Sequence, residues 1–260
     1  MRQKPKLGQN FLVDPAASAA IVDALGDISA KTVVEIGPGA GAITEILAAQ
    51  ARRLIAIELD RDLASQLRAQ FPSIEIVEAD VLSIDLTTLR QGEEKLLVVG
   101  NLPYYITSPI LLHLFSACDI VSMAVVMMQR EVAERVLAEP GSSDYGLLSA
   151  TARLYSRIER VLDLPPTAFV PPPQVRSTVL RLTMQPRFTE LGVEPRPFLA
   201  FLRQSFAQKR KTLAKNLRSA GFASARISSA LSESRMPGTA RAEEVDLQHM
   251  AAIYKSLAAN

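Results

Sequence analysis

Between residues 32 and 128, short runs of β-branched and aliphatic residues alternate with segments of helical periodicity, which leaves few folds open. Residues 32–36, 54–58, 74–77, 96–99 and 121–128 read as strands, and 43–50, 61–70 and 109–115 as helices. Strands apolar on both faces and separated by helices predict a parallel sheet covered on both sides. Ahead of them, Asp14 followed by Pro15 reads as an N-cap and first-turn proline opening a helix to about residue 25. The alternation stops near Pro165-Pro166 and Pro171-Pro172-Pro173, and residues 175–183 alternate as one more strand. Pro186, Pro195 and Pro197 then mark a linker, after which 198–217 and two later segments have helical spacing. These features predict an α/β domain over residues 1–185 and a small α-helical domain over 186–260.

At 260 residues and 48% hydrophobic content the chain can bury a core in such an arrangement. Its single cysteine excludes a disulfide scaffold and fits a reducing compartment. The longest apolar run, 120–128, is far below the ~18 residues of a membrane span. A soluble, cytoplasmic protein is therefore expected, with no membrane partner. No clustered His, Cys or carboxylates with ligand spacing predict a metal site. His113, His249 and Cys118 read as structural, and no exposed apolar stripe calls for an obligate partner, so a monomer is expected.

The net charge of +2 conceals an asymmetry. Residues 186–260 carry 12 basic and 6 acidic side chains, against 17 and 21 in the rest. No acidic residue lies between Glu194 and Glu233, where Lys209, Arg210, Lys211, Lys215 and Arg218 cluster. An acidic partner for this third of the chain is the simplest functional reading; a solvated helix face is the other. On a continuous helix, Lys211, Lys215 and Arg218 share a face.

Glu35-Ile36-Gly37-Pro38-Gly39-Ala40-Gly41 ends the first sheet strand and opens a helix. Glycines there permit positive φ and close approach of a ligand, at the strand end where open α/β sheets bind. The loop also satisfies the dinucleotide pattern, as does Glu58, 21 residues after Gly37, an acceptor for ribose hydroxyls. Asp80 ends the third strand, where a carboxylate can accept from an adenine amino group. Acids ending strands two and three behind a Gly-x-Gly-x-Gly turn favour S-adenosylmethionine over NAD.

Asn101-Leu102-Pro103-Tyr104 follows the fourth strand. The amine of adenine is a poor nucleophile because its lone pair is delocalised into the ring. The Asn101 side-chain oxygen and the Leu102 carbonyl can accept its two hydrogens, aim the lone pair and stabilise the developing positive charge. Pro103 fixes the turn, and Tyr104 offers a face on which an extruded base can stack.

These motifs, with Gly8-Gln9-Asn10-Phe11-Leu12, Ala168-Phe169-Val170-Pro171-Pro172-Pro173-Gln174-Val175 and Gln208-Lys209-Arg210-Lys211-Thr212-Leu213, resemble over nearly the whole chain the ribosomal RNA adenine dimethyltransferases of the small subunit, the KsgA type. The resemblance implies a Rossmann-like S-adenosylmethionine-dependent methyltransferase sheet. Its implied activity is dimethylation of the exocyclic amine of two adjacent adenosines in small-subunit rRNA, with the subunit or its precursor as partner and a part in ribosome biogenesis. It also implies that Asn10 and Leu12 fold over the cofactor, beside Gly37, Gly39, Glu58, Asp80 and Asn101, and that Phe169 sandwiches the base against Tyr104. Tyr105 stands where the family often has a smaller polar residue. The alternatives are a large-subunit methyltransferase of the antibiotic-resistance type, a non-catalytic assembly factor that retains the fold, and an NAD-dependent oxidoreductase. The last leaves Asn101–Tyr104 and the basic domain without a role.

Overall fold

The computed structural model describes residues 9–259. Gly8, the first residue of the N-terminal motif, lies outside the described residues, as do Arg2, Lys4 and Lys6. In chain order the elements are β1 (Phe11–Leu12), α1 (Pro15–Asp23), β2 (Thr32–Ile36), α2 (Thr44–Gln50), β3 (Arg53–Glu58), α3 (Arg61–Gln70), β4 (Glu75–Glu78), β5 (Leu96–Asn101), α4 (Thr107–Ser116), β6 (Val121–Gln129), α5 (Arg130–Leu137), α6 (Leu147–Tyr155), β7 (Ser156–Leu164), β8 (Phe169–Val170), β9 (Ser177–Met184), α7 (Phe188–Leu191), α8 (Pro195–Ser205), α9 (Leu213–Ser219), α10 (Ser224–Glu233) and α11 (Leu247–Ala258).

Seven strands form one sheet in the order β4-β3-β2-β5-β6-β9-β7. β4, β3, β2, β5 and β6 run parallel, and β9 pairs antiparallel with β6. The strand order reverses beside β2, which has β3 on one side and β5 on the other, so a crevice opens at the carboxyl ends of these strands. β2 and β5 are aliphatic and buried along nearly their whole length because helices cover both faces. Local chemistry sets the ends of several helices. Asp14 accepts from the Ala16 and Ala17 N–H groups to open α1, and Asp60 from Asp62 and Leu63 to open α3. β1 pairs antiparallel with β8, placing Leu12 opposite Phe169.

The chain divides into two compact units: residues 1–133 with 157–184, and residues 134–156 with 185–260. Residues 134–156, which the sequence reading keeps with 1–185, group here with the helices that follow residue 185. Its amphipathic helix α6 is local in sequence and carries no boundary signal. In the second unit an aromatic group fills the core: the Phe198 and Phe201 rings stack at 6.1 Å, with Tyr254 at 5.4 and 5.5 Å from them.

The helical spacing over 198–217 is interrupted. α8 ends at Ser205 and α9 begins at Leu213. The Asn216 amide donates to the Ser205 and Gln208 carbonyls, and the Thr212 hydroxyl caps α9 by accepting from the Lys215 N–H. Lys209, Arg210 and Lys211 thus lie in the connection, and Lys211 does not share a helical face with Lys215 and Arg218. Among the described residues no helix is long and apolar enough to cross a membrane.

Candidate active site

The glycine turn after β2 forms with Gly37, Gly39 and Gly41 at φ of 66°, 58° and 89°, the left-handed region open to glycine. The Gly37 N–H donates to the Ile57 carbonyl at 3.0 Å and ties the turn to β3. Space adds a restriction at Gly39 and little at Gly37. A Cβ on Gly39 would stand 3.0 Å from the Phe11 ring, and one on Gly37 would stand 3.4 Å from the Asn101 carbonyl oxygen.

Glu58, the last residue of β3, is 4% exposed. One carboxylate oxygen accepts from the Gly39 N–H at 3.2 Å and the other from the Asp60 N–H at 2.9 Å. Each oxygen retains acceptor capacity, since a carboxylate offers about four lone-pair sites. Glu35, near the end of β2, is 1% exposed and accepts from the Thr44 hydroxyl at 2.7 Å. Burial, reinforced by the charge of Glu58, pushes its pKa up to about 7 despite that hydrogen bond. Asp80, exposed after β4, accepts from the Leu82 N–H at 2.9 Å.

On the other side of the crevice, β5 ends with Asn101 opposite Met127 of β6. The Asn101 amide donates to the Asn10 carbonyl at 3.0 Å, so Oδ1 is left as an acceptor. The buried Leu102 N–H donates to the Met127 carbonyl at 2.9 Å. The Tyr104 hydroxyl and the Ser177 hydroxyl lie 2.7 Å apart, and burial raises the phenol's pKa, so the ring is held in place as a neutral phenol.

These groups converge on one cleft of about 360 Å³ in the first unit. Asn10, Leu12, Gly37, Gly39, Glu58, Asn101, Leu102, Pro103 and Tyr104 all line it. Asp80 lines an adjoining cavity of about 60 Å³ that shares Gln9, Gly37, Glu58, Pro103 and Tyr105 with the cleft. Phe169 lines neither. At 1% exposure it packs in the core with Leu12, Ala168 and Val179, and a ring so enclosed presents no face to a base. The expected sandwich with Tyr104 is therefore absent from this arrangement. Pairing of β1 with β8 accounts for the enclosure, because it sets Leu12 against Phe169. Lys209, Arg210, Lys211, Lys215 and Arg218 are all exposed, in the second unit.

Sequence reasoning assigned no role to Glu35, Thr44 or Ser177. A carboxylate inside an otherwise apolar strand was the available signal for Glu35, and only the fold pairs Tyr104 with Ser177. Tyr105, 60% exposed, lines both cavities and adds an open aromatic surface at the mouth.

A family model described as ribosomal RNA adenine dimethylase matches residues 1–259. The chain belongs to this family. A relative from Acidobacterium capsulatum, named ribosomal RNA small subunit methyltransferase A, is 58% identical over 98% of this chain and 92% of its own. One of the same name from Koribacter versatilis is 50% identical over 98% and 94%. Among solved structures, a dimethyladenosine transferase from Plasmodium falciparum superposes with a TM-score of 0.76 at 23% identity, covering 94% of this chain and 95% of that one, and shows the shared fold. The 23S rRNA methyltransferase ErmE superposes at 0.71 with 26% identity over 95% and 99%. The match to the adenine dimethylase family thus spans both units of the chain, and the cleft lies in the unit whose sheet carries the glycine turn.

Proposed function

We propose that the protein transfers methyl groups from S-adenosylmethionine to the exocyclic amines of two adjacent adenosines in small-subunit rRNA, two to each. The observation that carries this reading is Asn101. Its amide nitrogen donates one hydrogen to the Asn10 carbonyl, and its oxygen remains as an acceptor in the same cleft as Glu58 and the glycine turn.

The residues present fit the cofactor. Gly37 and Gly39 carry no side chain to hold a ligand off the turn's backbone, and Glu58 retains acceptor sites for ribose hydroxyls. Asp80 stands at the adjoining cavity with an acceptor for an adenine amino group, and Asn10 and Leu12 line the main cleft. The chemistry supplied by bound S-adenosylmethionine is an electrophilic methyl on a sulfonium. The chain's own contribution is orientation. Asn101 Oδ1 and the Leu102 carbonyl accept the two N–H groups of the substrate amine, directing its lone pair and stabilising charge as it develops. Pro103 holds that carbonyl's turn, and Tyr104, fixed by Ser177, stacks on the extruded base. Once methylated, the amine is acidic and releases its proton to water, so no general base is needed.

The exposed basic residues of the second unit supply contacts to rRNA phosphates, and the small subunit or its precursor is the macromolecular partner. The protein acts in the cytoplasm, as a monomer. The names of the 58% and 50% identical relatives favour the small-subunit substrate over the large-subunit one.

Transfer of labelled methyl groups to small subunits lacking the modification, with mapping of acceptor bases, tests the reading. Label should appear on two adjacent adenosines; label confined to large-subunit RNA would overturn the substrate assignment. In the same assay at saturating cofactor, Asn101→Ala should slow single-turnover transfer on the order of 10²–10³-fold, by analogy with loss of one oxyanion-hole donor. Retention of the original rate would remove Asn101 from the amine's environment.

A further inference from the structure

Six large apolar side chains are exposed among the described residues, and two of them, Leu59 and Tyr105, line the small cavity beside Asp80. Open apolar surface gathered at a cavity marks a contact that a ligand completes. The cavity, at about 60 Å³, is far below the ~300–1,000 Å³ of a whole ligand site, so it takes one part of a larger molecule. Gln9, Gly37, Glu58 and Pro103 line it and the main cleft alike, which puts the remainder of that molecule in the main cleft.

The lining selects a flat ring with an amino group. Val81, Ile106 and Ile110 are apolar, and Asp80 is the carboxylate among them. One Asp80 oxygen accepts from the Leu82 N–H at 2.9 Å; the other makes no hydrogen bond among the described residues and is left as an acceptor. Tyr105 follows Tyr104 in the single 3₁₀ turn Tyr104–Ile106, where successive side chains diverge by about 120°. Tyr104 is tied to Ser177, so the next ring is turned away from it. Leu59 and Asp80 line the small cavity and not the main cleft, and Tyr105 lines both. The Tyr105 hydroxyl makes no hydrogen bond among the described residues, so nothing but the turn holds its ring off a ligand.

We propose that Tyr105 is a cofactor-binding residue whose ring covers the adenine of S-adenosylmethionine, seated beside Asp80 and Leu59, and is not a second platform for the substrate base. The inference rests on the cofactor reading of this cleft and adds to it a residue that no glycine turn or strand-end acid announces.

Calorimetric titration with S-adenosylhomocysteine in the absence of RNA tests it. Tyr105→Ala should bind this ligand about tenfold more weakly, in line with loss of one base–aromatic stack, and Tyr105→Phe should bind it as the unaltered protein does. 5′-Methylthioadenosine has the same base without the amino-acid tail, and its affinity should fall by the same factor. The melting temperature of ligand-free Tyr105→Ala should match that of the unaltered protein, because the ring is exposed and makes no hydrogen bond. The chain has no tryptophan, so tyrosine emission can be read directly. Saturating S-adenosylhomocysteine should quench it more in the unaltered protein than in Tyr105→Phe. Equal quenching, or equal affinity of Tyr105→Ala and the unaltered protein for both ligands, would overturn the inference. Weaker binding of small subunits by Tyr105→Ala at unchanged ligand affinity would also overturn it and place the ring at the substrate base. An unaltered protein that binds no S-adenosylhomocysteine would instead overturn the cofactor reading itself, so the two failures are separable.

Discussion

Glu35 sits at 1% exposure beneath the glycine turn, with one hydroxyl partner in Thr44 and a second carboxylate, Glu58, close enough to add to its discomfort. Its pKa rises from 4.5 to about 7, so the folded protein binds a proton there that the unfolded chain does not between those values. Stability from this group is fully present below about pH 4.5 and is lost as pH rises through about 7. Glu35→Gln keeps an acceptor for Thr44 and removes the titration. The difference in urea stability between variant and parent should grow from pH 5 to pH 8 in the variant's favour, reaching on the order of 3 kcal/mol. A pH-independent difference would show that Glu35 titrates normally. Glu58 and Asp80 were legible from position alone, as acids ending successive strands, but their present partners were not. Both oxygens of Glu58 already hold backbone N–H groups, so Glu58→Ala would loosen the turn as well as remove an acceptor. Glu58→Gln keeps one of those two acceptors and Asp80→Asn keeps an acceptor for the Leu82 N–H, so these are the milder substitutions. Each should weaken S-adenosylmethionine binding by ~1–3 kcal/mol, about 5- to 150-fold. Unchanged titrations for both would remove this cleft as the cofactor site. Phe169 shows the converse: a sequence motif reports that an aromatic is present, whereas β-pairing of a two-residue strand decides whether its face is open.

Among the elements, those fixed by local chemistry were readable and those fixed by distant partners were not. The span of α3 lies between the Asp60 cap and Phe71-Pro72, and β2 and β5 are short, mostly aliphatic runs. The split between α8 and α9 depends on Asn216 reaching back to two carbonyls, a long-range hydrogen bond that periodicity does not encode. β7, an edge strand whose residues are mostly polar or half-buried, lacks the apolar run that marked the others. The parallel pairing at the crevice makes its own demand on sequence. Gly100 lies opposite Ile36, and a Cβ on it would fall well inside contact distance of the Ile36 carbonyl oxygen. Neither β2 nor β5 can yield without disturbing both the glycine turn and Asn101. Gly100→Ala should therefore cost about 1–3 kcal/mol or more and lower cofactor affinity together with the denaturation midpoint. Gly238→Ala, where a Cβ meets nothing within 4 Å, is the matched control and should leave both unchanged. Equal midpoints for the two variants would show that the strands separate without penalty.

At the scale of the whole molecule, charge and chemistry are carried by different units. The cofactor cleft belongs to residues of the first, while Lys209, Arg210, Lys211, Lys215 and Arg218 are exposed on the second. The charge asymmetry was plain in the sequence because it needs only counting; the geometry of the basic run was not, because it assumed an unbroken helix. With Lys211 in the connection and Lys215 and Arg218 on α9, the three cations cannot follow a backbone as one helical stripe, and Arg218 also donates to the Ser224 hydroxyl at 3.0 Å. They can still each meet a phosphate, and every cation that does so releases condensed counterions from the RNA. Replacing Lys211, Lys215 and Arg218 with Gln should therefore weaken binding to unmethylated small subunits most at low salt. The slope of log K against log salt should fall by about 0.7 to 0.9 for each phosphate no longer neutralised, so by roughly 2 to 3 if all three touch phosphate. Cofactor affinity should not change, because none of the three lines the cleft that Glu58 and Asn101 share. A triple variant with the parental slope would place the RNA on another surface and leave this face to solvent.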